Sequence, residues 1–258
     1  ATAAAGRLLG LDEMQMVHAL ALAFNRCGGS FQSNVDGSLA VRLIQGFVAE
    51  AAVTCALLAR NGLTGPVNFI EGHYGYVHLY ARGLRAPDEF VDALGERWLL
   101  ENFMFKKFPS CGVTQGVTQL ALDLTERLSL QPDDLAEAEV RLPPYAHRLV
   151  GHPFSMGQNA RVNAQFSAQW CVANAIARRS SRLEHFKPES IGDAAIAALL
   201  PRIRVVSDPA LDARGHSAVD LRISTRDGGT ASAGFDTAPG YPGNALGERD
   251  HRARFDDC

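Results

Sequence analysis

Apolar residues return at helical spacing along most of the first half of the chain. Behind Asp12, the residues Met14, Val17, Leu20, Ala21 and Phe24 recur at that spacing, and the aspartate is placed to cap the helix they predict. A loop rich in Gly, Asn and Ser follows, NRCGGSFQSNVDGS (25–38). Ser38 is the expected cap of a second helix, along which Leu39, Leu43, Phe47, Ala51, Cys55 and Leu58 recur close to one face; Asn61-Gly62 closes it. A glycine-punctuated aromatic stretch, GPVNFIEGHYGYVHLYARG (65–83), leads to a helix near 87–100. Val117, Leu120, Ala121, Leu124 and Leu128 mark another.

The pattern changes near residue 131. Strands are expected over 137–142, 202–208, 218–225 and 229–236, the last two joined by Arg226-Asp227-Gly228, where Asp-Gly signals a hairpin. Helices are expected over 163–179 and 191–200, the second stopped by Pro201, and the turn-rich tail begins another. The fold class is therefore mainly α with a smaller α+β domain: a helical part over 1–130, then an α+β part.

Composition narrows the function classes. With 47% hydrophobic and 21% charged residues in 258, the chain can bury an ordinary globular core. A net charge of -3 without a basic run gives no footing for nucleic acid. The five cysteines, Cys27, Cys55, Cys111, Cys171 and Cys258, are odd in number and widely spaced. They argue against a disulfide framework, a zinc site or an iron–sulfur cluster and fit a reducing, cytoplasmic setting. His73 and His78, like His147 and His152, sit in expected loops without metal-ligand spacing. No apolar run approaches the ~20 residues of a membrane span. The first residues lack a basic leader and are not read as a signal peptide; the absence of an initial Met fits processing or truncation.

The chemistry concentrates in FKKFPSCGVTQG (105–116). Pro109 keeps Phe108 out of a helix, so a helix begins after it, with Ser110 or Thr114 as cap. Free N–H groups at that end, the charges of Lys106 and Lys107, and two hydroxyls make an anion pocket with a lysine available for proton transfer. Cys111, at the same end, is expected to have a lowered thiol pKa. The bland readings are a solvated lysine pair and a buried cysteine.

These residues stand in a familiar order: AAAGRLLGLDEMQMVHALALA, GSLAVRLIQGFVAEAAVTCALLARNGLTGP, FKKFPSCGVTQG, NAQFSAQWCVANAI and PGYPGNALGERDHRARFDD. Together they resemble the MmgE/PrpD family, which includes 2-methylcitrate dehydratase, cis-aconitate decarboxylase and iminodisuccinate epimerase. The resemblance implies a large all-helical domain with an α+β lid, here 1–130 and 131–238, and a return segment over 239–258 towards the helical domain. It also implies that the chain corresponds to an internal portion, with a long N-terminal helical segment and a shorter C-terminal one outside it. Part of the site, an acidic residue and a histidine, would lie in that N-terminal segment.

By resemblance, members act on small di- and tricarboxylates without metal or organic cofactor, moving a proton beside a carboxylate, as homodimers. Lys106 matches the family's lysine before an aromatic residue and proline, and is the first choice for general acid/base or carboxylate anchor. Cys111 stands where the family often has His or Cys, and Gln115 where it often has His; a glutamine side chain only hydrogen-bonds. In place of the family's Lys-Arg-Leu-His-x-Gly stands Val41-Arg42-Leu43-Ile44-Gln45-Gly46, leaving Arg42 and Gln45 on one side of a helix to hold a carboxylate. Lys107, Ser110 and Thr114 are further candidate carboxylate ligands, and Tyr76 a candidate hydrogen-bond donor in the aromatic loop. The expected activity is that of a dehydratase-like lyase or isomerase. An epimerase or racemase, and an inactive subunit that assembles or binds acids, remain the alternatives.

Overall fold

The computed structural model describes residues 1–30, 32–81 and 91–258. They form two compact units, one of residues 1–33 and 39–97, the other of 34–38 and 98–258.

The first unit is helical. Helix α1 (Thr2–Leu8), α2 (Glu13–Asn25) and α3 (Ile44–Arg60) pack together. Asp12 caps α2 as expected: its carboxylate accepts from the Gln15 N–H at 2.8 Å, and the Gln15 side chain accepts from the Asp12 N–H at 3.0 Å. Ser38 does not cap the next helix. A 3-10 turn, Leu39–Arg42, intervenes, and α3 starts at Ile44. Its packed face also differs from the large apolar stripe. Ala52, Cys55, Ala56 and Ala59 are buried, whereas Leu39, Leu43, Phe47 and Leu58 are exposed. Small residues let the helices approach closely, and the buried Ala19 and Ala21 of α2 serve the same end. Asn61 and Gly62 close α3, Gly62 donating to the Ala59 carbonyl at 3.0 Å. The helix expected near 87–100 falls partly outside the described residues. Residues 91–96 form turns, and Leu99–Asn102 is a single 3-10 turn in the second unit.

The second unit is built on a four-stranded sheet ordered β2-β1-β3-β4, with β1 (Leu135–Leu142), β2 (Ile203–Ser207), β3 (Val219–Thr225) and β4 (Thr230–Phe235). β1 pairs parallel with β2 and antiparallel with β3, Val140 facing Val205 on one side and Leu221 on the other. β3 and β4 form the expected hairpin, closed by Thr225 N–H to Gly229 O at 2.8 Å. Alternation decides the two faces. Leu135, Ala138, Val140 and Leu142 of β1 join Val219, Leu221 and Ile223 of β3 in the core. Over that face lie α4 (Gln115–Arg127) and α5 (Ala168–Arg178), which also pack on each other. The opposite face carries ion pairs, among them Arg204–Glu139 and Arg141–Asp208.

The helix expected over 163–179 is two helices. Ala160–Gln165 ends at Phe166, and Ser167 opens α5 by accepting from the Trp170 N–H at 3.1 Å. A serine able to cap ends one helix and starts the next more readily than it sits inside one. The tail forms α6 (Glu248–Asp257). Among the described residues, no helix is long and apolar enough to cross a membrane.

Candidate active site

The loop 105–111 runs into a 3-10 turn, Gly112–Thr114, and then into α4. Its course is set by two glutamines. Gln115, fully buried, accepts from the Phe108 N–H at 2.9 Å and donates to the Phe108 carbonyl at 3.0 Å and the Cys111 carbonyl at 3.2 Å. Gln165, at the end of Ala160–Gln165, donates to the Pro109 carbonyl at 2.8 Å, and its own carbonyl accepts from the Cys111 N–H at 2.9 Å. A buried loop without regular structure needs such partners for its peptide groups.

Neither hydroxyl caps the helix. Thr114 Oγ1 donates to the Cys111 carbonyl at 2.8 Å, and Ser110 Oγ lies 2.7 Å from Thr114 Oγ1. A hydroxyl has one proton, so with the Thr114 proton given to Cys111 the second bond takes the proton of Ser110. Both side chains are buried. Beneath them the Cys171 thiol is fully buried, and its pKa is pushed up to about 12 by that burial, against the hydroxyls of Thr114, Thr118 and Ser110.

The two lysines have different fates. Lys107 Nζ pairs with Asp250 of α6 at 2.9 Å and sits 5.7 Å from the centre of the Phe108 ring. Lys106 is exposed and has no ion-pair partner among the described residues. Lys107 is thus a tie between the loop and α6, whereas Lys106, beside it, stays exposed. The preceding residue is anchored as well: the Phe105 N–H donates to Gly240 O at 2.8 Å, and its ring meets His251 edge-on at 5.4 Å.

The expectation for Cys111 is corrected. Burial raises its thiol pKa, and this outweighs the Val113 N–H, the charge of Lys106 and the Gly112 N–H, which all pull it down. A helix start lowers a thiol pKa where water can reach it; here the loss of hydration wins. Cys111 is therefore a neutral S–H near Lys106.

Arg42, Gln45 and Tyr76 belong to the first unit. Arg42 ends the 3-10 turn and Gln45 lies in α3, so they do not share one helix; both are exposed. The half-exposed Tyr76 ring packs on Tyr80 at 5.6 Å and Phe24 at 6.5 Å. His73 stacks on His78 at 5.3 Å, but no group of three or more His, Cys, Asp or Glu among the described residues could hold a metal ion.

Two side chains in this region escaped the sequence reading. Gln165 gave no signal beyond its place in NAQFS. Tyr241, in the turn before α6, has its ring buried and its hydroxyl beside Gly112. Clefts of about 430 Å³ beside Arg26 and Phe47 and about 380 Å³ beside His152 and Asn163 include neither Lys106 nor Cys111. The residues of the 105–116 segment are related by charge and hydrogen bonding.

Comparison with known proteins bears on both units. The family model described as the MmgE/PrpD C-terminal domain matches residues 108–258, and that of the MmgE/PrpD N-terminal domain matches residues 1–87. The cis-aconitate decarboxylase-like protein oryM of Aspergillus oryzae (strain ATCC 42149 / RIB 40) is 24% identical over 229 residues, 84% of this chain and 47% of that protein. The chain spans about half the length of this curated relative.

Proposed function

The chain belongs to the MmgE/PrpD family, and on that premise we propose that it acts on a small di- or tricarboxylate, moving a proton at the carbon next to a carboxylate and eliminating water. The observation that carries this reading is the division of labour in one clamped loop. Lys107 is neutralised by Asp250, while Lys106 stays exposed without an ion pair among the described residues, near a thiol kept neutral by burial.

Removal of a proton alpha to a carboxylate spreads negative charge over that carboxylate. Lys106 anchors the group and stabilises the charge as it develops. The C–H bond breaks and its proton passes to a base outside this loop, the carboxylate or imidazole that the resemblance implies for the longer chain; a C=C bond forms, the C–O bond of a hydroxyl on the next carbon breaks, and the base afterwards returns its proton to the acid that served the leaving group. The departing hydroxide takes a proton and leaves as water. Cys111 is suited to give that proton, since its S–H is intact at neutral pH and held by a rigid backbone. Ser110, Thr114 and Gln115 are positioning residues that fix the loop carrying both groups. The oryM protein is named for its likeness to a decarboxylase of an unsaturated tricarboxylate. That supports the substrate class.

The test is a panel of di- and tricarboxylates incubated in deuterated water with the full-length protein and followed by proton NMR. Loss of a C–H signal together with a new alkene signal supports the elimination. Deuterium uptake without an alkene replaces it with epimerisation. Binding with neither change contradicts catalysis and leaves an acid-binding relative.

A further inference from the structure

Tyr241 is held where it stands. Its N–H donates to Ala238 O at 3.2 Å and its carbonyl accepts from the Asn244 N–H at 2.9 Å, while the Asn244 side chain donates to Thr237 O at 2.8 Å. The residue is only 9% exposed, and its ring meets His216 edge-on at 5.5 Å. Yet its hydroxyl makes no hydrogen bond among the described residues. The hydroxyl is not among the fully buried polar atoms that lack a partner, so it meets solvent although the ring is covered, and a ligand can reach it.

Gly112 lies beside the hydroxyl. Gly112 has no side chain; a Cβ there would lie 3.0 Å from Tyr241 Oη and 3.2 Å from Met104 Sδ. Cys111 is the next residue, near enough that its charge would push the phenol pKa further up, as Tyr145 does; with burial as the main cause, that pKa reaches about 12. The hydroxyl is therefore an O–H donor at neutral pH, next to a residue without a side chain and near the neutral thiol.

We propose that Tyr241 donates a hydrogen bond to an oxygen of the bound carboxylic acid at the Cys111–Gly112 turn, and that Gly112 keeps the space for that oxygen. This rests on the carboxylate reading of the Lys106 loop. It adds a second fixed point, so that the acids accepted are those whose oxygens reach both Lys106 and Tyr241. A purely structural tyrosine would pack through its ring, and its hydroxyl could be removed without consequence for binding.

The experiment is a ligand-observed NMR titration of the full-length protein with citrate, cis-aconitate and succinate, on wild type, Tyr241→Phe, Gly112→Ala and Lys106→Ala, with thermal unfolding of each. The expected result is about tenfold weaker binding in Tyr241→Phe, the loss of one hydrogen bond, with unfolding unchanged. Gly112→Ala, whose methyl fills the space, should show a similar loss, and this variant keeps the inference testable should the tyrosine variant fold poorly. Wild-type affinity in Tyr241→Phe and Gly112→Ala, with binding lost in Lys106→Ala, overturns this inference alone. Failure of wild type to bind any of the three acids overturns it together with the function on which it rests.

Discussion

Gln115 and Phe108 face each other as two strands of a sheet would: the glutamine amide both accepts from the Phe108 N–H, at 2.9 Å, and donates to its carbonyl, at 3.0 Å. One side chain thereby satisfies a buried peptide unit seven residues earlier and fixes the loop that carries Lys106. Replacing Gln115 by Ala leaves the Phe108 N–H unmet in a dry interior, while the Phe108 carbonyl keeps the Ser110 N–H at 2.9 Å. The expected cost is about 1–3 kcal/mol, from one buried group without a partner. Denaturant unfolding measures it, and a wild-type midpoint would mean that the clamp contributes nothing.

The lysine pair predicts an asymmetry. Lys107→Ala removes a partly exposed ion pair with Asp250, so stability should change by about 0–1 kcal/mol and turnover by only a few-fold. Lys106→Ala removes the cation without an ion pair. Turnover should fall by about 100-fold or more, the scale of losing one group that stabilises developing charge, with unfolding unchanged. Steady-state kinetics of the two variants side by side checks the order.

Gly240 holds the turn to which Phe105 is bonded. Its φ is +88°, and an added Cβ would collide with the Phe105 carbonyl oxygen. Gly240→Ala should lose at least about 1–2 kcal/mol from the backbone conformation alone, and the collision adds to that. The Phe105 N–H bond to Gly240 O should open with it, which hydrogen exchange at Phe105 reads directly.

His185 predicts the acid limb of stability. Burial lowers its pKa, with Arg178 and Arg182 acting the same way and Glu184 and Asp257 opposing. Its Nδ1 accepts from the Arg182 N–H at 3.3 Å, which also favours the neutral ring. The folded protein takes up this proton less readily than the unfolded chain. Its contribution is therefore whole above about pH 6.5 and is lost as the pH falls below that towards the folded pKa. His185→Gln keeps an acceptor and removes the titration. Unfolding free energy followed from pH 7 to 5 should fall less steeply in this variant; an identical slope would assign the acid limb elsewhere.

Much of this was legible in the chain. The Asp12 cap, the strands and the Asp227-Gly228 hairpin rest on local chemistry, which sequence carries directly. The packed face of α3 was not. Large apolar residues such as Phe47 suggested one stripe, whereas contact is made through Ala52, Ala56 and Ala59, because closeness of approach outweighs side-chain size. In the loop, the residue types were readable and their partners were not. That Asp250 takes Lys107, that Gln165 holds Pro109, and that Tyr241 lies beside Gly112 are matters of long-range packing. The rise in the Cys111 pKa has the same origin: spacing places a thiol at a helix start, but only burial decides whether hydration is lost.

The most direct measurement is deuterium exchange at the carbon next to a carboxylate of a di- or tricarboxylate, followed in full-length wild type and in Lys106→Ala. Exchange by the wild type that is abolished in a normally folded Lys106→Ala is the predicted result. Exchange at an undiminished rate in that variant, or its absence with every acid in the wild type, would contradict the assignment of proton transfer to this loop.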